Sequence, residues 1–142
     1  MGEAVTPGLQ AVFSLRLRQG DPILVGSVAT GGVRRLIPVI GGTLQAQDWR
    51  AEIIPASSSE LQLERPDGVI VTEYSCLLGS EAGEVLRLTA SGYVTAAPNY
   101  EGTRMTLMFE TQESAALAWL STRVFVAERP AGAEVFDIAL VT

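Results

Sequence analysis

The stretch AVFSLRLR sets Phe13, Leu15 and Leu17 against Ser14, Arg16 and Arg18, a period of two that predicts a strand with one wet face. Similar runs recur along the chain, separated by clusters of Gly, Pro, Asp and Ser about every ten residues, the spacing of an all-β sandwich or barrel. QGD turns the chain into PILVGSV, and ATGG turns it again into VRRLIPVIGG. ELQLE places Leu61 and Leu63 on one face and Glu60, Gln62 and Glu64 on the other. Arg65-Pro66-Asp67-Gly68 then puts proline at the second turn position and glycine where φ turns positive, so ELQLE and VIVTEYSCLL are expected to pair as a hairpin. Only Thr111 to Ser121 reads helical, with Thr111 as N-cap, and it supplies one or two turns.

The expected fold is therefore all-β: an antiparallel, closed or nearly closed small barrel of about 8–10 strands with one short helix near 111–121. Residues 1–10 read as an N-terminal arm and 11–142 as one domain. Several runs, among them ILV, LIPVI, EIIP, GVIV and VFVA, are apolar on both faces. A sheet with one face in water alternates, so these runs predict that part of the outer surface is covered, either by the helix or by a second copy in a homodimer.

Composition narrows the chemistry. All ten basic residues are arginine, and the chain has no histidine. That excludes a histidine general base, Ser-His or Cys-His nucleophile systems, a lysine Schiff base and a histidine-built metal site. Asp, Glu, Tyr, Arg, Ser, Thr, one Cys and backbone dipoles remain, and no cofactor or metal is expected. The net charge of -6 is opposite in sign to the footprint that nucleic acid selects. With one cysteine there is no intramolecular disulfide, no run is long enough for a membrane helix, and the N-terminus lacks a signal pattern, so a cytoplasmic location is expected.

Strand alternation separates the adjacent pair Arg34 and Arg35, so at most one of them faces a lumen while the other faces solvent or a partner; the alternative is that both are solvated or paired with Glu52 or Asp48. Arg35 is the expected lumen residue, because its face continues through Ile37 and Val39; a fixed guanidinium there suits a carboxylate, an enolate or a polarised carbonyl. Tyr74 lies in line with Thr72 and Cys76 and offers a directed hydroxyl. Glu52 and Glu110 are the candidate acid/base carboxylates. Tyr93, Trp119, Met105, Phe109 and Arg34 complete the candidate set as ligand-binding residues, whereas Cys76, without a histidine base, reads as a buried small hydrophobe.

GGVRRLIPVIGG, the Arg65–Gly68 turn, MTLMFET and AWLSTRVFVAE resemble, in order and spacing, a microbial family catalogued as domain of unknown function 3237 (UPF0311). The resemblance runs from about Ala11 to Val141 and implies a small β-barrel with no established reaction or catalytic residues. Where that family places an acid-tryptophan pair before the turn, this chain has Glu60-Leu61; where the family has asparagine after Trp-Leu, it has Ser121.

The reading that best accommodates these features is a cofactor-independent enzyme of the cyclase, isomerase or lyase type, acting on a mostly apolar small molecule in the barrel lumen. Pericyclic ring formation in natural product biosynthesis suits it, since no strong nucleophile is needed. Two alternatives stay open: a non-catalytic barrel that binds a hydrophobic ligand, and an interaction module without a cavity.

Overall fold

A computed structural model describes residues 6–113 and 115–142. Its ten strands are β1 (Leu9–Gln19), β2 (Ile23–Ser27), β3 (Val33–Gln45), β4 (Arg50–Ile53), β5 (Ser58–Glu64), β6 (Ile70–Ser80), β7 (Val85–Ala97), β8 (Tyr100–Thr111), β9 (Phe125–Pro130) and β10 (Val135–Val141). All their pairings are antiparallel. Eight of them close a barrel in the order β1, β10, β9, β8, β7, β6, β5, β3 and back to β1.

The two remaining strands extend this circuit. β4 lies in the same slot as β5, pairing with Thr43–Gln45 of β3 and Leu78–Ser80 of β6, while β5 pairs with the other halves of those strands. β2 pairs with Val33–Leu36 of β3 and has no second neighbour among the described residues. The expected β5–β6 hairpin is present: Gly68 has a φ of 85° and its N–H donates to the Arg65 carbonyl.

Inward alternation fills one end of the barrel with hydrocarbon. Phe13, Phe109 and Phe125 meet with ring centroids 5.2–6.1 Å apart, Trp49 packs on Phe13 at 5.3 Å, and Leu44, Leu86 and Leu120 are fully buried beside them. Each such side chain contributes about 1.5–3 kcal/mol by leaving water, enough to make this end a plug. The Arg65–Val69, Ala97–Tyr100 and Pro130–Glu134 turns lie at the opposite end, where the inward residues Leu17, Gln19, Arg35, Gln62, Val94 and Arg129 are only partly buried.

Two expectations change. The short helix placed near 111–121 is a 3-10 turn over Ala118–Thr122: Thr111 is the last residue of β8, and Leu120 enters the core from the turn. A turn of this length anchors one apolar side chain without needing helical periodicity. Leu9 and Gln10, expected in the arm over 1–10, pair with β10; residues 1–5 lie outside the described residues.

Candidate functional site

Midway along the barrel the lining becomes polar. β5 presents Glu60 and Gln62 inward, each paired across the ladder with an inward residue of β6: Glu60 with Tyr74 and Gln62 with Thr72. On its other side β5 pairs Glu60 with Ile37 and Gln62 with Arg35.

Glu60 is 2% exposed and collects three donors. The Gln19 amide donates to Oε1 at 2.5 Å, and the Gln62 amide and the Thr72 hydroxyl donate to Oε2 at 2.7 and 2.5 Å. A buried carboxylate surrounded by donors in this way is held in one orientation and avoids the large penalty of an unpaired buried charge.

Tyr74, 3% exposed, lies directly beside it, and its ring packs edge-on to Phe136 at 5.9 Å. Its hydroxyl is buried without a hydrogen-bond partner. Burial first, and then the neighbouring Glu60 charge, push the phenol above the ordinary tyrosine range, while Arg129 pulls the other way. Tyr74 therefore stays a neutral donor, and its hydroxyl, beside Glu60, completes no hydrogen bond within the protein.

Two guanidinium groups sit nearer the rim. Arg35 Nη1 donates to Gln62 Oε1 at 3.4 Å. Arg129, paired with Thr103 across the β8–β9 ladder, lies over the Phe136 ring at 4.4 Å.

The structure brings Arg35 and Tyr74 of the sequence candidates to this cluster. Met105 also faces the lumen and is buried below it. The others lie elsewhere. Glu52 is on the outer face of β4, 3.7 Å from Arg50, and Glu110 is exposed on the outer face of β8. Arg34 alternates away from Arg35, opposite Leu63 and Gly26. Phe109 belongs to the apolar plug, and Trp119 is 43% exposed on the 3-10 turn at the closed end. Tyr93, 52% exposed, borders a hollow of about 970 Å³ on the outside of the wall, with Thr106, Val126 and Ala139. A second outer hollow of about 400 Å³ is lined by Leu36, Leu61, Glu73 and Met108.

Glu60, Gln62, Gln19, Thr72 and Arg129 were missed by the sequence reading. The signal for the first two was present: a hairpin at Arg65–Gly68 gives Glu60 and Gln62 the same face as Tyr74 and Thr72, whatever the leucines on the other face suggest.

Among the described residues no group of three His, Cys, Asp or Glu is placed to hold a metal, and no helix is long and apolar enough to cross a membrane. The family model described as "Protein of unknown function (DUF3237)" matches residues 7–137. The chain belongs to the DUF3237 family. The UPF0311 protein of Rhodopseudomonas palustris strain TIE-1 is 30% identical over 90 residues, 62% of this chain and 58% of that relative, so the match spans less than two thirds of the relative's length. The crystal structure of a protein with unknown function from Clostridium acetobutylicum superposes with a TM-score of 0.85 at 24% identity, covering 96% of this chain and all of the other. An enzyme from Penicillium herquei superposes with a TM-score of 0.80 at 19% identity over the full length of both chains. At these identities the structural likenesses establish the DUF3237 barrel and nothing about its reaction.

Proposed function

We propose that the protein is a cofactor-independent enzyme of the isomerase, cyclase or lyase type, acting on a mostly apolar small molecule that enters the polar end of the barrel. The observation that carries this reading is the buried, unpartnered Tyr74 hydroxyl beside the Glu60 carboxylate. A core built for stability alone leaves no such donor idle, because an unsatisfied buried group costs about 1–3 kcal/mol. The similarity to an enzyme structure from Penicillium herquei adds weak support.

In this reading Tyr74 donates its hydrogen bond to a substrate carbonyl oxygen and steadies the negative charge that develops there. Glu60 takes a proton from the adjacent carbon or from a hydroxyl and returns it at another atom. The proton count closes within the substrate, so isomerisation or ring closure needs no external reactant. Thr72, Gln19 and Gln62 keep the carboxylate in place.

The test uses 2-tetralone, an apolar ketone with exchangeable protons beside its carbonyl, followed by NMR in deuterated buffer. Wild-type protein is expected to accelerate exchange. Glu60→Gln abolishes that acceleration and Tyr74→Phe slows it, while Glu52→Gln and Glu110→Gln on the outer surface leave it unchanged. Binding without exchange would instead favour a non-catalytic carrier, and no binding an interaction module.

A further inference from the structure

We propose that Arg35 and Arg129 form a receptor for an anionic oxygen of the substrate, a carboxylate or a phenolate-type oxyanion, at the polar mouth of the barrel. The inference rests on the lumen reading proposed above and adds the charge of the molecule that the lumen accepts.

Among the described residues four arginines have carboxylate partners within 4 Å, and all five pairs lie on the outside: Arg16 with Glu134, Arg50 with Glu52 and Glu81, Arg65 with Asp67, and Arg104 with Glu128. Arg35 and Arg129 face inward and have none among the described residues. Arg35 makes one long hydrogen bond to a neutral amide. Arg129 makes no side-chain hydrogen bond among the described residues and rests on Phe136, an aromatic ring that is 1% exposed. A guanidinium held over a ring face keeps N–H groups available to meet an oxygen.

The acid nearest at hand does not neutralise them. Glu60 accepts its three hydrogen bonds from Gln19, Gln62 and Thr72, all neutral, and from neither arginine. Glu64, at the rim end of β5, forms no ion pair with either guanidinium among the described residues. The chain thus builds a network in which its buried carboxylate is held by neutral donors while two cations at the same end have no carboxylate partner among the described residues.

The two arginines also approach from different walls. Arg35 stands on β3 and Arg129 on β9, with β1 and β10 between them along the wall. Arg129 is close enough to Tyr74 for its charge to act on the phenol. An oxyanion held between the guanidinium groups would therefore place the apolar body of its molecule toward Phe136, Tyr74 and the hydrocarbon plug below. Partial exclusion of water at such a mouth strengthens the pairing relative to a surface arginine.

The experiment measures binding of 2-naphthoate and of its neutral counterpart 2-naphthamide to the full chain by calorimetry, with amide NMR shifts at Thr72 and Gly92 reporting lumen entry. A third probe, 2-naphthol, is titrated at pH 7 and pH 10.5 to separate a phenolate from a carboxylate preference. Wild type is expected to bind at least one anionic probe roughly tenfold or more tightly than its neutral counterpart. Arg35→Gln and Arg129→Gln each remove most of that preference while keeping 2-naphthamide affinity, which also certifies that the variants are folded. Arg34→Gln removes the same charge one residue away on the outer face and leaves the preference intact. Equal affinity for charged and neutral probes, or an Arg34→Gln loss as large as the other two, overturns the anion receptor and leaves the lumen reading standing. Failure of every probe to shift the lumen amides overturns both.

Discussion

Glu60 and Tyr74 are direct cross-strand partners in the β5–β6 ladder, both almost wholly buried, yet the acid accepts three hydrogen bonds and the phenol makes none. Removing the idle hydroxyl therefore costs the fold no interaction. Tyr74→Phe is expected to stabilise the protein by about 1 kcal/mol, a rise in melting temperature of about 3 °C in thermal unfolding followed by circular dichroism. A melting temperature several degrees lower would mean that the hydroxyl does have a structural partner.

Glu60→Leu is expected to behave in the opposite way. It strands the Gln19, Gln62 and Thr72 donors, and a loss of about 2–4 kcal/mol in urea unfolding should follow. Adding Thr72→Val to Glu60→Leu should recover part of that loss, because one donor no longer lacks its acceptor.

Gly92 faces Thr72 across one ladder and Met105 across the other. A Cβ built there would stand 2.0 Å from the Arg104 carbonyl oxygen and 2.7 Å from the Met105 Cα, both backbone atoms that cannot swing aside. Gly92→Ala should force β7 and β8 apart beside the site, with a cost of about 1–3 kcal/mol and faster amide exchange in both strands.

The buried Cys76 thiol gives stability a pH dependence. Burial pushes it up from 9.0 to about 11, with a hydrogen bond from Ser58 acting weakly against the shift. Between those values the folded chain holds the proton more tightly than the unfolded chain does. The contribution is complete below pH 9 and is lost as pH rises through 11, on the order of 2 kcal/mol in all. Tyr74, also shifted upward, adds a loss of the same sign above pH 10. Urea unfolding at pH 8 and pH 10.5 should show this decline, and Cys76→Ala in a Tyr74→Phe background should flatten it.

Ile23, Leu24 and Val25 are more than half exposed on β2, whose outer edge is unpaired among the described residues. An apolar open edge is a template for another strand, although the bulge between Leu24 and Gly26 shortens the run available for pairing. Concentration-dependent self-association, followed by light scattering, is expected and should weaken in Val25→Lys. Scattering from wild type that stays constant over a hundredfold range of concentration would remove the basis for a homodimer through this strand.

The architecture was legible because strand alternation and turn chemistry are local. Phe13, Leu15 and Leu17 declared their face by period two, and the Arg65–Gly68 turn declared its hairpin. The site was only partly legible. Alternation separated Arg34 from Arg35, and Tyr74 was recognisable as an inward hydroxyl, but ELQLE was ambiguous: its leucines are as apolar as core residues, and only closure of the barrel sends them outward and the acid inward. Glu52 and Glu110 lie on the outer face for the same reason in reverse, since pairing with β6 and β7 fixes their parity and residue type does not. Arg129, near the Pro130 turn, gave no local sign that its strand would aim it at Phe136.

The shared slot of β4 and β5 divides the barrel wall at residues 54–57, where Ala56 takes a φ of 60°. Below that seam β4 lends Ala51 and Ile53 to the plug; above it β5 lends Glu60 and Gln62 to the polar cluster. The hairpin that carries the acid and the phenol thus behaves as a cassette inserted into a wall already closed beneath it. Substitutions in β5 can change the chemistry of the polar cluster without disturbing the hydrocarbon end that holds the strands together.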